Sequence, residues 1–202
     1  MSNSIAIASG KGGVGKTTIA VNLALTLSQM GSKVSLMDAD FGLANAHIML
    51  GINPKRTIRD MLKNSLQVED VIETAPNGIK FISGGSGLID ILNVEKNSML
   101  QLINAINPIE KQTDTLVVDI PAGASDQSMT FASAVDKLVI VLVGEPTSFM
   151  DAFTLIKVCN LELKFKEFCV ITNMVSNDHQ GKIVFERFKK VVTKFYDVNL
   201  NH

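Results

Sequence analysis

The sequence predicts an α/β domain: a doubly wound, mostly parallel sheet with helices on both faces. Two observations carry that expectation. Six apolar runs of strand length alternate with stretches of helical periodicity, the pattern of repeated strand–helix–strand units. Apolar residues make up 46% of the 202 positions and charged ones 19%, with a mean hydropathy of +0.24, which suits strands covered on both faces. This length holds one sizeable core but is short for two, so a single domain over residues 1–202 is expected.

Taken in order, the first strand is the apolar run Ile5 to Ala8, followed by a turn rich in glycine. Helical periodicity then covers Lys16 to Met30, and Gly31 stops it, as glycine commonly does just past a helix end. Val34 to Met37 reads as the second strand, Thr57 to Lys63 as a helix, Ile79 to Ile82 as a strand and Glu95 to Ile106 as a helix. Strand Leu116 to Val118, helix Ser128 to Ala134, strand Leu138 to Val143 and helix Ser148 to Leu161 continue the alternation. Strand Cys169 to Thr172 and helix Lys182 to Phe195 follow, and a last strand over Asp197 to Leu200 begins as the sequence stops. That ending predicts a domain lacking a C-terminal portion.

A formal net charge of −1 gives no global field of either sign, so nucleic-acid or membrane contact would need a local patch. Cys159 and Cys169 have neither zinc nor redox spacing, and both are expected to be buried small hydrophobes. The start lacks a basic region ahead of its short apolar run, which argues against a signal peptide or membrane span and for a cytoplasmic protein.

In open sheets of this kind ligands sit beyond the carboxyl ends of the strands. After the first strand, Gly10, four residues, Gly15, Lys16 and Thr17 form the phosphate-loop pattern G-x-x-x-x-G-K-[ST]. Its glycines let backbone N–H groups wrap a phosphate, Lys16 adds a point charge, Thr17 offers a hydroxyl to Mg²⁺, and the helix N-terminus adds its positive end. Lys11 is surplus to that pattern. Asp38 and Asp40 end the second strand; there a carboxylate can hold magnesium-bound water or orient an attacking water. Asp119 ends the strand "DTLVVD" as a candidate metal anchor, with Gly123 in a loop small enough to approach a γ-phosphate. Asn173 ends a later strand, where its amide could read a base edge, while Glu145 and Pro146 lead into a helix as turn or cap residues.

In that order, "SGKGGVGKTT", "DADFGLANAHIMLG" and "DIPAG" resemble the deviant phosphate-loop ATPases of the MinD/ParA group, over nearly the whole chain. The resemblance implies the SIMIBI-type P-loop NTPase fold, ATP and Mg²⁺ as cofactors, and a homodimer in the ATP-bound form. It gives Lys11 a role: reaching across the dimer to the partner's phosphates. By the same resemblance Gly12, Gly13, Val14, Gly15, Lys16, Thr17 and Thr18 bind phosphate, with Thr17 on magnesium. Asp40 positions the attacking water, Asp38 supports the magnesium shell, Asp119 holds the metal through water, and Asn173 contacts adenine. Only the resemblance selects adenine over guanine.

Within the group, "DADFGLANAHIMLGINPKRTIRDML", "GEPTSFMDAFTLIKV" and "ITNMV" are most similar to the FlhG (FleN) subfamily, which controls flagellar number and placement. The implied protein partners are a flagellar GTPase or polar and basal-body factors. The N-terminal segment that stimulates that GTPase and the C-terminal amphipathic helix usual in the subfamily have no counterpart in the sequence, so membrane association at the inner membrane is expected only of a longer form. Neighbouring readings are MinD-like control of the division site and ParA-like partitioning on nonspecific DNA, the latter unsupported by the net charge. Iron–sulfur relatives are disfavoured because no cysteine lies near the switch loops, and tyrosine-kinase relatives because Tyr196 is the only tyrosine. The basic amphipathic segment "GKIVFERFKKVVTKFY" could lie on an anionic membrane. The expectation favoured is a core helix with Phe188, Val191 and Phe195 facing inward and its lysines facing water.

Overall fold

The structure is a computed structural model describing residues 3–41, 44–64, 66–85, 108–109 and 112–202. Its strands are β1 (Asn3–Ala8), β2 (Val34–Asp38), β3 (Ile72–Thr74), β4 (Lys80–Ser83), β5 (Thr115–Asp119), β6 (Lys137–Leu142), β7 (Glu167–Thr172) and β8 (Asn199–Asn201). Its principal helices are α1 (Lys16–Gln29), α2 (Ala46–Met49), α3 (Ile58–Asn64), α4 (Asp126–Ser133), α5 (Pro146–Leu163) and α6 (Asp178–Phe195). The strands form one mostly parallel eight-stranded sheet in the order β3-β4-β2-β5-β1-β6-β7-β8, the predicted fold class. The helix expected over 95–106 lies outside the described residues.

Two compact units divide the chain, one of residues 1–5 and 17–120, the other of residues 6–16 and 121–202. In the first, β2 lies between β4 and β5 and pairs with both in parallel, bringing Asp38 level with Ser83 on one side and Asp119 on the other. Every residue of β2 and β5 is buried, the condition that favours the unbroken apolar runs seen in the sequence. β3, absent from the sequence reading, pairs antiparallel with β4. Three residues, Ile-Glu-Thr, carry no readable period; a 3₁₀ turn at Val68–Val71, closed by reciprocal bonds between Gln67 and Asp70, delivers them to the edge.

In the second unit, β6, β7 and β8 pair in parallel. α5 opens on Pro146, whose missing N–H costs nothing in the first turn. α6 begins at Asp178, four positions before the expected Lys182: the Asn177 side chain accepts the Gln180 N–H at 2.9 Å, starting the helix. Gly181 in its first turn is a packing residue, since a Cβ there would lie 3.1 Å from Thr172 Oγ1.

Two burial expectations are corrected. On α6 the buried stripe is Val184, Phe185, Phe188 and Val192, while Val191 is 47% and Phe195 64% exposed. Phe188 faces the core as expected; the stripe continues to Val192, leaving Phe195 outside, edge-on to Phe153 at 5.8 Å. Cys159 is buried on α5 but Cys169 is exposed on β7, where burial alternates from Glu167 to Val170. Burial pushes the Cys159 thiol up to about 12, its charged form being disfavoured by desolvation.

Candidate functional site

The phosphate loop lies in the second unit, between β1 and the Lys16 start of α1. Gly13 and Gly15 have φ of +80° and +89°, values an L side chain rarely adopts. A Cβ on Gly12 or Gly13 would meet nothing within 4 Å, so both present bare backbone to open space. A Cβ on Gly10, by contrast, would collide with the backbone of Asp151 and Ala152, so this glycine lets the loop lie directly on α5. Lys16 is only 8% exposed and begins a 14-residue helix. Open glycine backbone, a lysine and a helix N-terminus are chemically suited to an anion such as a polyphosphate.

Three contacts brace this loop. Asn173 Nδ2 donates to the Val14 carbonyl at 2.8 Å and occupies the space a Cβ on Gly15 would need. Gly123 N–H donates to the Ser9 carbonyl at 2.8 Å, and Ser9 Oγ donates to the Lys11 carbonyl at 2.9 Å. Asn173, expected to meet a base, here supports the loop. Gly123 has a φ of +89°, and a Cβ there would meet nothing within 4 Å.

Lys11 points to the start of α5. Its Nζ lies 3.0 Å from Glu145 Oε2 and donates to Thr147 Oγ1 at 3.3 Å. Glu145 stands at the helix N-cap without capping it; its carboxylate takes the lysine instead. From the sequence Glu145 is expected only as a turn or cap residue, and Thr147 carries no expectation. Both lie more than 130 positions from Lys11 in the chain, and the run Glu-Pro-Thr-Ser was their only local signal. An ion pair this exposed is worth about 0–1 kcal/mol, weak enough for Lys11 to exchange it for another anion.

The carboxylates lie in the first unit. Asp119 ends β5 with no exposed surface, and the Ala39 N–H donates to its backbone carbonyl at 2.9 Å. Its strand partner Asp38 is also buried. β2 ends at Asp38, so Asp40 lies beyond the strand and is half-buried. Thr17, in the first turn of α1, belongs to the same unit and is half-buried. A deep carboxylate and a hydroxyl are hard oxygen donors of the kind Mg²⁺ takes, so Asp119 and Thr17 fit that ion.

A family model described as ParA, NUBPL iron-transfer P-loop NTPase, matches residues 1–194. The chain belongs to the MinD/ParA family of P-loop ATPases. Among MinD/ParA proteins it is 38% identical over 198 residues to the antiactivator FleN of Pseudomonas aeruginosa, a match covering 98% of this chain and 71% of FleN. It is 35% identical over 187 residues to the flagellum site-determining protein YlxH of Helicobacter pylori, covering 93% of this chain and 63% of that protein. The fold matches that of the septum site-determining protein MinD of Pyrococcus horikoshii, solved with Mg-ADP, with a TM-score of 0.75 at 23% identity over 99% of this chain and 79% of that one. Membership of the MinD/ParA family makes ATP and Mg²⁺ the ligands against which the glycine cradle and the oxygen donors are read.

Proposed function

We propose that this chain is a Mg·ATP-dependent dimerising switch of the FlhG type, acting on flagellar number or placement. Lys11 carries the proposal. It is a second loop lysine whose ammonium rests on an exposed, weakly held pair with Glu145. Such a group is available to a second copy's phosphates, while Lys16 serves the local loop. Likeness to FleN and YlxH supports the flagellar setting, with a flagellar GTPase or polar and basal-body factors as partners. Among the described residues no helix is long and apolar enough to cross a membrane; peripheral contact with the inner membrane is part of the proposed reading.

In this reading the backbone N–H groups of Gly12, Gly13, Val14 and Gly15, with Lys16 and Thr18, bind the phosphates, and Thr17 and Asp119 hold magnesium. Bound magnesium offsets charge on the phosphate oxygens during transfer. Asp40 accepts a hydrogen bond from the attacking water and orients it in line, while Lys11 adds positive charge from the partner subunit. Asn173 supports the loop and contacts adenine. Loss of the γ-phosphate removes the anion that orders the loops around Asp40 and Gly123, and the dimer opens.

Asp40→Ala tests this directly. The variant is expected to bind ATP, remain dimeric for hours in Mg·ATP and hydrolyse at less than about one hundredth of the wild-type rate, the scale of losing a water-orienting group. Hydrolysis at the wild-type rate would refute the role given to Asp40. Iron transfer, named in the family model's description, finds little support in this chain: its two cysteines are ten positions apart and one is wholly buried.

A further inference from the structure

The resemblance gives Asp38 a part in the magnesium shell, and in the structure both of its carboxylate oxygens accept backbone N–H groups. Oδ1 takes the N–H of Asp40 at 3.1 Å and Oδ2 takes that of Ala46, the first residue of α2, at 3.0 Å. Asn45, at the N-cap position of α2, makes no side-chain cap bond, so Asp38 does the capping from eight residues away.

We propose that Asp38 is a positioning residue for the first switch segment, tying Asp40 and the start of α2 to the end of β2 through its two oxygens. This rests on the reading of Asp40 as the residue that orients water. The surrounding contacts favour a rigid anchor. The backbone carbonyl of Asp38 accepts the Gly84 N–H at 2.9 Å, and the Phe41 N–H donates to the Ala39 carbonyl at 3.1 Å, folding the chain sharply around Asp40. Phe41 is wholly buried, and its ring fills the space where a Cβ on Gly84 would lie. Asp40 is therefore held on one side by Asp38 and on the other by Phe41.

The test separates anchoring from metal binding and uses nucleotide-free protein first. Amide hydrogen exchange at Asp40 and Ala46, read by NMR without magnesium, is expected to quicken at least tenfold at both positions in Asp38→Ala. In Asp38→Asn it should quicken at one of them, because asparagine has a single acceptor oxygen. The amides of Phe188 and Val192 on α6 serve as controls and should not change. In the Asn variant kcat should fall tenfold or more while the Mg²⁺ concentration for half-maximal ATPase activity stays within twofold of wild type. Unchanged exchange at Asp40 and Ala46, or a tenfold rise in the Mg²⁺ requirement, would overturn the proposal. Asp40→Asn distinguishes the two readings: if it hydrolysed ATP normally while the exchange result held, the role of Asp40 would fall and the anchoring by Asp38 would stand.

Discussion

Lys11 and Lys16 stand five positions apart in one loop, yet their environments differ: Lys16 is buried at a helix start and Lys11 lies on an exposed glutamate. Lys11→Ala removes that surface pair and the exposed bond to Thr147 Oγ1, so unfolding free energy should change by less than about 1 kcal/mol. Affinity for a fluorescent ATP analogue should stay within about threefold, a shift below about 0.7 kcal/mol. Gly15→Ala should behave oppositely, because φ is +89° there and the Asn173 amide occupies the Cβ position. Equilibrium binding should show at least a tenfold loss of ATP affinity, about 1.4 kcal/mol. The thiols give a pH-linked check. Burial holds Cys159 protonated up to about pH 12, and the thiolate is the reactive form. At pH 8 a thiol reagent should modify the exposed Cys169 and leave Cys159 untouched until the chain unfolds; rapid native labelling of both would contradict this burial. The phosphate-binding pattern was legible because it is a run of local residues. The Lys11–Glu145 and Asn173–Val14 contacts were not, because they join positions 134 and 159 apart, a distance no local pattern spans.

Elements were legible where burial is two-sided or periodic. β2, β5 and β6 read directly as apolar runs because nearly every residue in them is buried. β3 and α2 did not, at three and four residues, since segments this short owe their conformation to tertiary contacts such as the Asp38 bond to Ala46. α6 was legible as a helix but not in its rotation. Its apolar residues cover more than one face, and only packing selects Val184, Phe185, Phe188 and Val192 for the interior. That choice has a measurable consequence. Phe188→Ala should lower unfolding free energy by about 3–5 kcal/mol through transfer and cavity costs, whereas Phe195→Ala, 64% exposed, should cost less than about 1 kcal/mol. Urea titrations distinguish them, and equal losses would mean that the assigned face of α6 is wrong.

For the molecule as a whole, strand–helix alternation predicted the sheet class, but not its strand order or its antiparallel edge, which local apolar patterns do not encode. Family membership accounts for ATP and magnesium, and the flagellar setting rests on relatives of which this chain spans 71% and 63%. In the proposed switch the ATP site is finished by a second copy of the chain through Lys11. Its most direct test is the molar mass by light scattering of wild type and Lys11→Ala in Mg·ATP, in Mg·ADP and without nucleotide. The expected result is twice the 21.8 kDa chain mass for wild type in Mg·ATP alone and the monomer mass in the other five samples. A constant mass for wild type in all three conditions, or an ATP-dependent dimer that survives Lys11→Ala, would contradict it.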